Sequence, residues 1–211
     1  LLTNYVIGGA MPRIEDYALI GDCRSAALVS REGSIDWLCW PRFDSAACFA
    51  ALLGDSEHGR WRLAPDGEFQ SSRAYDGPTM ILATRHRSET GVVEVIDFLA
   101  PHAPEPTLVR IARGLEGEVA MTSELVVRFD YGLTVPWVAR GPHHELIATA
   151  GPLKLVFRTP ARTVGRNLRT LSHFSLRAGE SVAFTLQCVP SVGEIPAPCD
   201  AEAALGQARA F

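Results

Sequence analysis

The sequence lacks the signatures of several common classes of protein. Its longest apolar run, at 46–53, is too short to span a bilayer. Its five cysteines include no C-x-x-C pair, which argues against a zinc site, a redox motif and a disulfide framework. We interpret them as small apolar core residues and therefore predict a cytoplasmic protein. The net charge of −4 without a lysine/arginine block makes nucleic acids and anionic membranes unexpected partners.

Motifs for common catalytic and cofactor sites are also missing. There is no G-x-G-x-x-G, no Walker A pattern and no G-x-S-x-G elbow, so no cofactor is predicted. The densest ligand-like cluster is His143-His144-Glu145. Adjacent residues of a strand point to opposite faces, so the two histidines are poorly placed to share a metal. We predict a solvated loop there and no metal site.

Short β-rich runs broken by turn residues dominate the chain. Hairpins are predicted at 25–40, with Glu32-Gly33 in the turn, and at 79–101 and 144–159. Strands at 107–115 and 118–132 are predicted to be separated by a turn at Glu116-Gly117, and 168–189 is predicted to turn at 178–181. Turn signals spaced about 8–12 residues apart are typical of a sandwich or barrel. The predicted fold class is all-β and antiparallel.

Helix is expected in two places only. The run 46–53 could form two turns that end at Gly54, with Asp44 as the N-cap. The C-terminal residues 199–211 look helical, with Asp200 as the N-cap, and they follow a Pro-rich stretch of linker type.

The stretch SIDWLCWPRFDS, at 34–45, leaves two hypotheses open. Leu38 and Trp40 share one face of a strand that is apolar on both faces, and Trp37 is expected to be core. Pro41 then ends the strand's hydrogen bonding. Either the following residues form a self-contained corner, or the loop presents Trp40 and Arg42 to a partner.

Acid–base chemistry on a sugar needs two carboxyl groups that face one bond. The sequence offers several candidates but does not pair them. Asp36 and Asp97 lie inside strands, where hydrogen bonds to a neighbouring backbone or arginine are the expected use. The full set of candidates is Glu15, Asp16, Asp22, Asp36, Asp44, Asp97 and Asp130.

The run 13–54, and most specifically GSIDWLCWPRFDS at 33–45, resembles the start of bacterial and archaeal family-fifteen glycoside hydrolases, which include glucoamylase-like and trehalase-like enzymes. GVVEVIDFLAP at 91–101, the segment 108–132 and, as the third segment, FSLRAGESVAFTL at 174–186 resemble later strands of the same N-terminal domain. The resemblance implies an antiparallel, galactose-mutarotase-like β-supersandwich, in which the third segment is the last hairpin. It also implies a following (α/α)₆ barrel that carries the two catalytic glutamates, so no residue of this chain inherits a catalytic role.

The resulting prediction divides the chain into an extension at 1–11, a supersandwich at 12–193, and a linker with a helix at 194–211 that leads to the barrel. Met11 is an alternative start. The leading hypothesis is a non-catalytic domain of an enzyme acting on trehalose or on malto- or isomalto-oligosaccharides. Its partners would be its own barrel and, at the domain edge, the carbohydrate substrate. Trp40, Arg42 and Asp44 would lie at the interdomain surface or cleft edge.

Two rival hypotheses come from other functional classes. A carbohydrate-binding module would stack sugars on Trp40, Trp61 or Trp137. A mutarotase-like enzyme would need a histidine and a carboxylate in an open concave face, with His86 and Asp97 as the best pair. The leading hypothesis further predicts an exposed apolar patch, which the isolated domain could hide by self-association.

Overall fold

The computed structural model describes residues 13–211, so the predicted extension at 1–11 lies outside the described residues. Fifteen strands are described there: β1 Tyr17–Gly21, β2 Ala26–Ser30, β3 Ser34–Cys39, β4 Ala47–Phe49, β5 Arg60–Pro65, β6 Gln70–Tyr75, β7 Leu82–Arg87, β8 Gly91–Leu99, β9 Thr107–Val126, β10 Trp137–Arg140, β11 Leu146–Ala150, β12 Leu153–Arg158, β13 Val164–Arg166, β14 Arg169–Arg177 and β15 Ser181–Pro190. Helical segments are the α-helix α1 at Ala201–Ala210 and 3-10 turns at Ile14–Asp16, Ala51–Leu53, Ser56–His58 and Asp130–Gly132.

All named strand pairs are antiparallel, and they form one sheet that folds back on itself as a sandwich. The main strand order is β1-β2-β3-β5-β9-β15-β12-β11-β10, with β4, β6, β7, β8, β13 and β14 paired off this path. The prediction of an all-β antiparallel sandwich is confirmed. Its core includes Trp61, whose ring packs edge-on against Phe157 at 5.5 Å and Phe184 at 6.3 Å, so side chains from both halves meet between them.

The long strand β9 joins the two halves. Its first part, from Thr107 to Gly117, pairs with β8 and with β15, whereas its second part, from Glu118 to Val126, pairs with β5 and β14. The predicted turn at Glu116-Gly117 is therefore wrong, because the chain passes through this point as one continuous strand. Gly117 accepts a φ of 64° in this passage between halves.

The predicted turn at 178–181 does not create a hairpin. β14 and β15 do not pair with each other; they follow one another along the same edge of β9. The break between them is held by the glycines of β9, since Ala178 N donates to Gly117 O at 3.1 Å and Gly179 N donates to Gly114 O at 2.9 Å. β9 and the neighbouring β14–β15 segment therefore pass from one half of the sandwich to the other at the same point along β9.

The three other predicted hairpins are present as β2–β3, β7–β8 and β11–β12. In the first of them Gly33 has a φ of 74°, and a Cβ atom at this position would lie 2.5 Å from Leu63 O. The turn therefore requires glycine for both its conformation and its close approach to β5. Five of the six β3 residues are buried, as expected for a strand covered on both faces, but the exception is Trp37, which was expected to be core and is only partly buried.

The prediction of a helix at 46–53 is wrong. Ala47–Phe49 forms β4, which pairs with β3, and a single 3-10 turn follows at Ala51–Leu53. The consecutive residues 47–50 are all buried, so the run has no helical polar face and is used as a covered strand. Asp44 consequently caps no helix.

The C-terminal helix is confirmed. Asp200 accepts hydrogen bonds from Glu202 N and Ala203 N, each at 3.0 Å, as an N-cap does. The buried face of α1, which includes Leu205, packs against the outer surface of β8 and β9. The Pro-rich segment before it is also attached, because Arg158 Nη2 donates to Pro196 O at 2.6 Å. This helix is therefore part of the packed sandwich.

Candidate functional site

Two of the aromatic residues predicted to face a partner or a sugar are buried. Trp40 is 1% exposed, and its Nε1 donates to Ser25 Oγ at 3.2 Å. Trp61 is 0% exposed, with its Nε1 donating to Ser123 Oγ at 3.0 Å. Neither ring offers a face to solvent, so the expectations of an interdomain role for Trp40 and of sugar stacking for Trp40 and Trp61 are corrected. Both rings fill core and satisfy their one donor internally.

The loop after Trp40 is exposed and carries a bidentate ion pair. Arg42 Nε lies 2.9 Å from Asp44 Oδ1, and Arg42 Nη2 lies 3.2 Å from Asp44 Oδ2. This hydrogen-bonded pairing raises the pKa of Arg42 and lowers the pKa of Asp44. Phe43, between them, is 67% exposed. The loop thus presents an apolar ring flanked by a fixed charge pair.

A groove of about 650 Å³ adjoins this loop. Strand β1, the loop before β7 and the end of α1 form its walls. Its exposed apolar side chains include Leu19, Phe43, Met80 and Phe211, while its two arginines, Arg24 and Arg209, are ion-paired with Asp22 and Asp76. We call this surface the Phe43 groove. It is an apolar surface of the type expected for an interdomain contact.

A second cavity of about 350 Å³ lies between the two halves of the sandwich, beside β10 and β13. Trp137 lines it and is 79% exposed, so it is the one predicted sugar-stacking residue with an accessible ring. The floor is largely aliphatic and includes Leu125, Leu146 and Leu155. We call this cavity, with its rim, the Trp137 mouth.

The rim of the Trp137 mouth includes an exposed leucine on a strained turn. Asn167 and Leu168 join β13 to β14 with φ values of 51° and 57°, and Leu168 is 70% exposed. A leucine in the left-handed region costs roughly 1–2 kcal/mol. Arg128 holds the turn, because its Nη1 donates to Leu168 O at 3.2 Å. The fold therefore fixes an apolar side chain at the rim against local preference.

Arginines and glutamates form a charged network next to the same rim. Arg60 Nη2 lies 2.6 Å from Glu124 Oε1, Arg169 Nη1 lies 2.9 Å from Glu124 Oε2, and Arg169 also pairs with Glu57. Burial opposes ionisation of Glu124, but the hydrogen bonds from both arginines hold its pKa below the ordinary value. Sequence reasoning missed this network because its members come from three segments that are distant in sequence: 57–60, Glu124 and Arg169.

The carboxylates suggested as a catalytic pair are each engaged in a local or structural contact. Asp97 is fully buried and binds Arg110, with Oδ1 2.7 Å from Nε. Asp36 accepts from Tyr17 Oη at 2.7 Å and from Ser34 Oγ, so its partners are hydroxyl groups and not the backbone or arginine that was expected. The other candidates have partners close to them in sequence or in space. Glu15 pairs with Arg13, Asp16 with Arg31 and Asp44 with Arg42, Asp22 accepts from the backbone N–H groups of Arg24 and Ser25, and Asp130 accepts from Thr134.

The pair offered for the mutarotase-like hypothesis does not meet in an open face. His86 and Asp97 are both 0% exposed. The register places Leu82 opposite Asp97, and His86 lies four residues beyond Leu82, which is about 13 Å along the strand. His86 Nδ1 is 2.8 Å from Ser71 Oγ, and burial lowers the pKa of His86 to about 4. Both groups act within the core.

Among residues 13–211, no group of three or more His, Cys, Asp or Glu side chains is arranged to hold a metal ion. In the cluster at 143–145, Glu145 Oε2 accepts from His143 N at 2.9 Å, so this carboxylate stabilises its own turn. Over the same part of the chain, the α-helix is neither long nor apolar enough to cross a membrane.

Comparison with known proteins supplies a family for this architecture. The model of the family described as trehalase-like, N-terminal, matches residues 2–162. A trehalase from Mycolicibacterium smegmatis is 33% identical over 161 residues, which are 66% of this chain and 24% of the relative. Trehalase 1 from Sulfolobus acidocaldarius is 34% identical over 122 residues, 57% of this chain and 20% of the relative. The chain thus spans about a quarter or less of these relatives.

Proposed function

The chain belongs to the trehalase-like N-terminal family, and from this premise we propose that it is the non-catalytic N-terminal domain of a glycoside hydrolase that acts on trehalose. The observation that carries the proposal is the family match over residues 2–162, combined with the small share of each trehalase that the match occupies. The part of each trehalase that lies outside the match is long enough for a separate catalytic domain.

The geometry supports a non-catalytic role for the described residues. An inverting glycosidase needs two carboxyl groups about 6.5–9.5 Å apart, with room for a water between them. The buried carboxylate Asp97 is used to pair Arg110, and Asp36 is used to bind Tyr17. No aspartate or glutamate is among the described residues that line the Phe43 groove or the Trp137 mouth.

The Phe43 groove is the proposed docking surface for the catalytic domain. It combines exposed apolar side chains with the Arg42–Asp44 pair, whose geometry is fixed by two hydrogen bonds. A charge pair that is already joined by two hydrogen bonds has less side-chain entropy left to lose when a partner covers it. Arg42 and Asp44 are accordingly proposed to lie at the edge of the substrate cleft, where the buried Trp40 supports the loop from beneath.

Hydrogen exchange tests this arrangement. The backbone amides of 19–26, 42–45 and 79–81 should exchange more slowly in a polypeptide that also carries the catalytic domain than in the 211-residue chain. Substitution Phe43→Asp in the longer polypeptide should remove much of that protection. The amides of the turn at 88–90, which lines neither the Phe43 groove nor the Trp137 mouth, serve as the internal comparison and should be unaffected. Unchanged exchange in all three groove segments would refute docking at the Phe43 groove.

A further inference from the structure

The sandwich is open along one side, between two edge strands. In the described part of the chain β10 pairs only with β11, and β13 pairs only with β14. All four residues of β10 and all three of β13 are exposed. The Trp137 mouth lies between these two edges and reaches core residues of β12 and β15. Backbone hydrogen-bonding groups and apolar core are thus exposed side by side.

The mouth is shaped for apolar side chains. Its floor contains Leu125, Leu155 and Phe157, and its rim adds Trp137 and Leu168. Sugar hydroxyls placed on this aliphatic floor would lose hydrogen bonds to water without replacement. Gly165, on β13, lines the cavity, and a Cβ atom there would meet no atom within 4 Å. The cavity volume of about 350 Å³ accommodates two or three aliphatic side chains.

The surroundings of the mouth are positively charged in a chain whose net charge is −4. Four arginines, 60, 128, 166 and 169, face two glutamates, 57 and 124, which leaves an excess of two positive charges. Among the described residues, Arg166 has no ion-pair partner within 4.0 Å, and it lines both this cavity and the polar pocket beside it. Charge complementarity therefore favours an acidic occupant.

We propose that the Trp137 mouth binds an extended acidic polypeptide segment by β-strand addition. The segment pairs its backbone with the free edge of β10, places alternate apolar side chains in the cavity, and directs carboxylates to Arg166 and its neighbours. Edge pairing supplies affinity and the pocket supplies selectivity. A second copy docking through the same surface would bring the two arginine clusters together, which like-charge repulsion disfavours. This proposal does not depend on the enzyme to which the domain belongs.

A labelled peptide tests the proposal with the 211-residue chain. Fluorescence anisotropy is measured with the probes Ac-EVELEVE-NH2 and Ac-KVKLKVK-NH2. The acidic probe should bind saturably and at least tenfold more tightly than the basic one. The variant Arg166→Glu should weaken the acidic probe about tenfold and strengthen the basic one, whereas Arg87→Glu, on the exposed part of β7, should change neither. Gly165→Leu should block the acidic probe without lowering the melting temperature.

Two further probes test the binding mode. Two acidic peptides are compared, each N-methylated at every second amide but in opposite register. Only the peptide whose methyl groups replace the N–H groups that face β10 should lose binding. Equal binding by the acidic and basic probes, or by both methylated peptides, would overturn the proposal. Displacement of the acidic peptide by maltoheptaose would assign the mouth to sugars instead. A dimer detected by light scattering and disrupted by Gly165→Leu would assign it to a second copy.

Discussion

At the scale of single residues, the buried guanidinium of Arg110 connects the two halves of the sandwich. It pairs with Asp97 and also donates to Trp61 O at 2.6 Å and Gly33 O at 2.8 Å. Its charge lies 5.3 Å above the Trp61 ring. These contacts use most of the donors that the guanidinium has, which explains how a fully buried arginine is tolerated.

Removal of the Asp97 carboxylate is predicted to destabilise the fold strongly. The substitution Asp97→Ala leaves the buried charge of Arg110 without its partner, and such losses cost about 3–5 kcal/mol. Urea unfolding followed by circular dichroism measures the change. The matched substitution Glu116→Ala removes the exposed partner of Arg87 and should cost less than about 1 kcal/mol. Equal effects of the two substitutions would contradict the assigned role of Asp97.

His86 is predicted to make stability fall in mild acid. Its pKa is lowered from the ordinary 6.5 to about 4, by burial first and then by Arg110 and Arg62. Above pH 6.5 the imidazole is neutral in both states. Between pH 6.5 and 4 the unfolded chain binds a proton that the folded chain does not, so the unfolding free energy falls by up to about 3 kcal/mol.

Denaturant unfolding at a series of pH values measures this dependence. The variant His86→Gln should lose stability less steeply between pH 6.5 and 4 than the wild-type chain. The control variant His102→Gln changes an exposed histidine and should keep the wild-type slope. A wild-type slope in His86→Gln would show that His86 is not the responsible group.

Single residues also show where sequence reasoning stops. The use of Asp36 and Asp97 as hydrogen-bonded strand residues was predictable, because an isolated carboxylate among apolar neighbours needs a partner. The burial of Trp40 and Trp61 was not, because alternation indicates which face a ring occupies but not what covers that face. Their hydrogen-bond partners are Ser25 and Ser123, and Phe157 and Phe184 pack on the Trp61 ring; the tertiary fold brings these residues together.

At the scale of elements, β9 organises the sandwich by changing partners at its glycines. A Cβ atom at Gly114 would collide with Arg177 O, which belongs to the strand that runs beside it. Local hairpins were predictable from turn residues next to alternating runs. The continuous course of β9 through Glu116-Gly117 was not, since the same residues also favour a turn and only the pairing partners decide between the two outcomes.

Two glycine substitutions are predicted to act in opposite directions. Gly114→Ala should lower the melting temperature markedly, because β9 and the segment after β14 must separate to admit the methyl group. Gly206→Ala, inside α1 with no atom near its Cβ position, should raise stability by about 1 kcal/mol. Differential scanning calorimetry on both variants measures the changes. A neutral Gly114→Ala would contradict the tight passage between the halves.

At the scale of the whole molecule, two apolar surfaces remain on a well-packed sandwich. The Phe43 groove is lined in part by β1, and the Trp137 mouth lies beside β10. These two strands are the opposite ends of the main strand order. An apolar patch was expected from the sequence, but its position and the existence of a second one depend on which edges the fold leaves open. Trp137 was singled out from the sequence, whereas the arginines around it were not.

The most direct test of the central claim is glucose release by the purified 211-residue chain incubated with trehalose and, in parallel, with maltose. A non-catalytic domain should release no glucose above a buffer control, while the Mycolicibacterium smegmatis trehalase provides the positive control on trehalose. Clear release by the 211-residue chain, retained through a further purification step, would contradict the account.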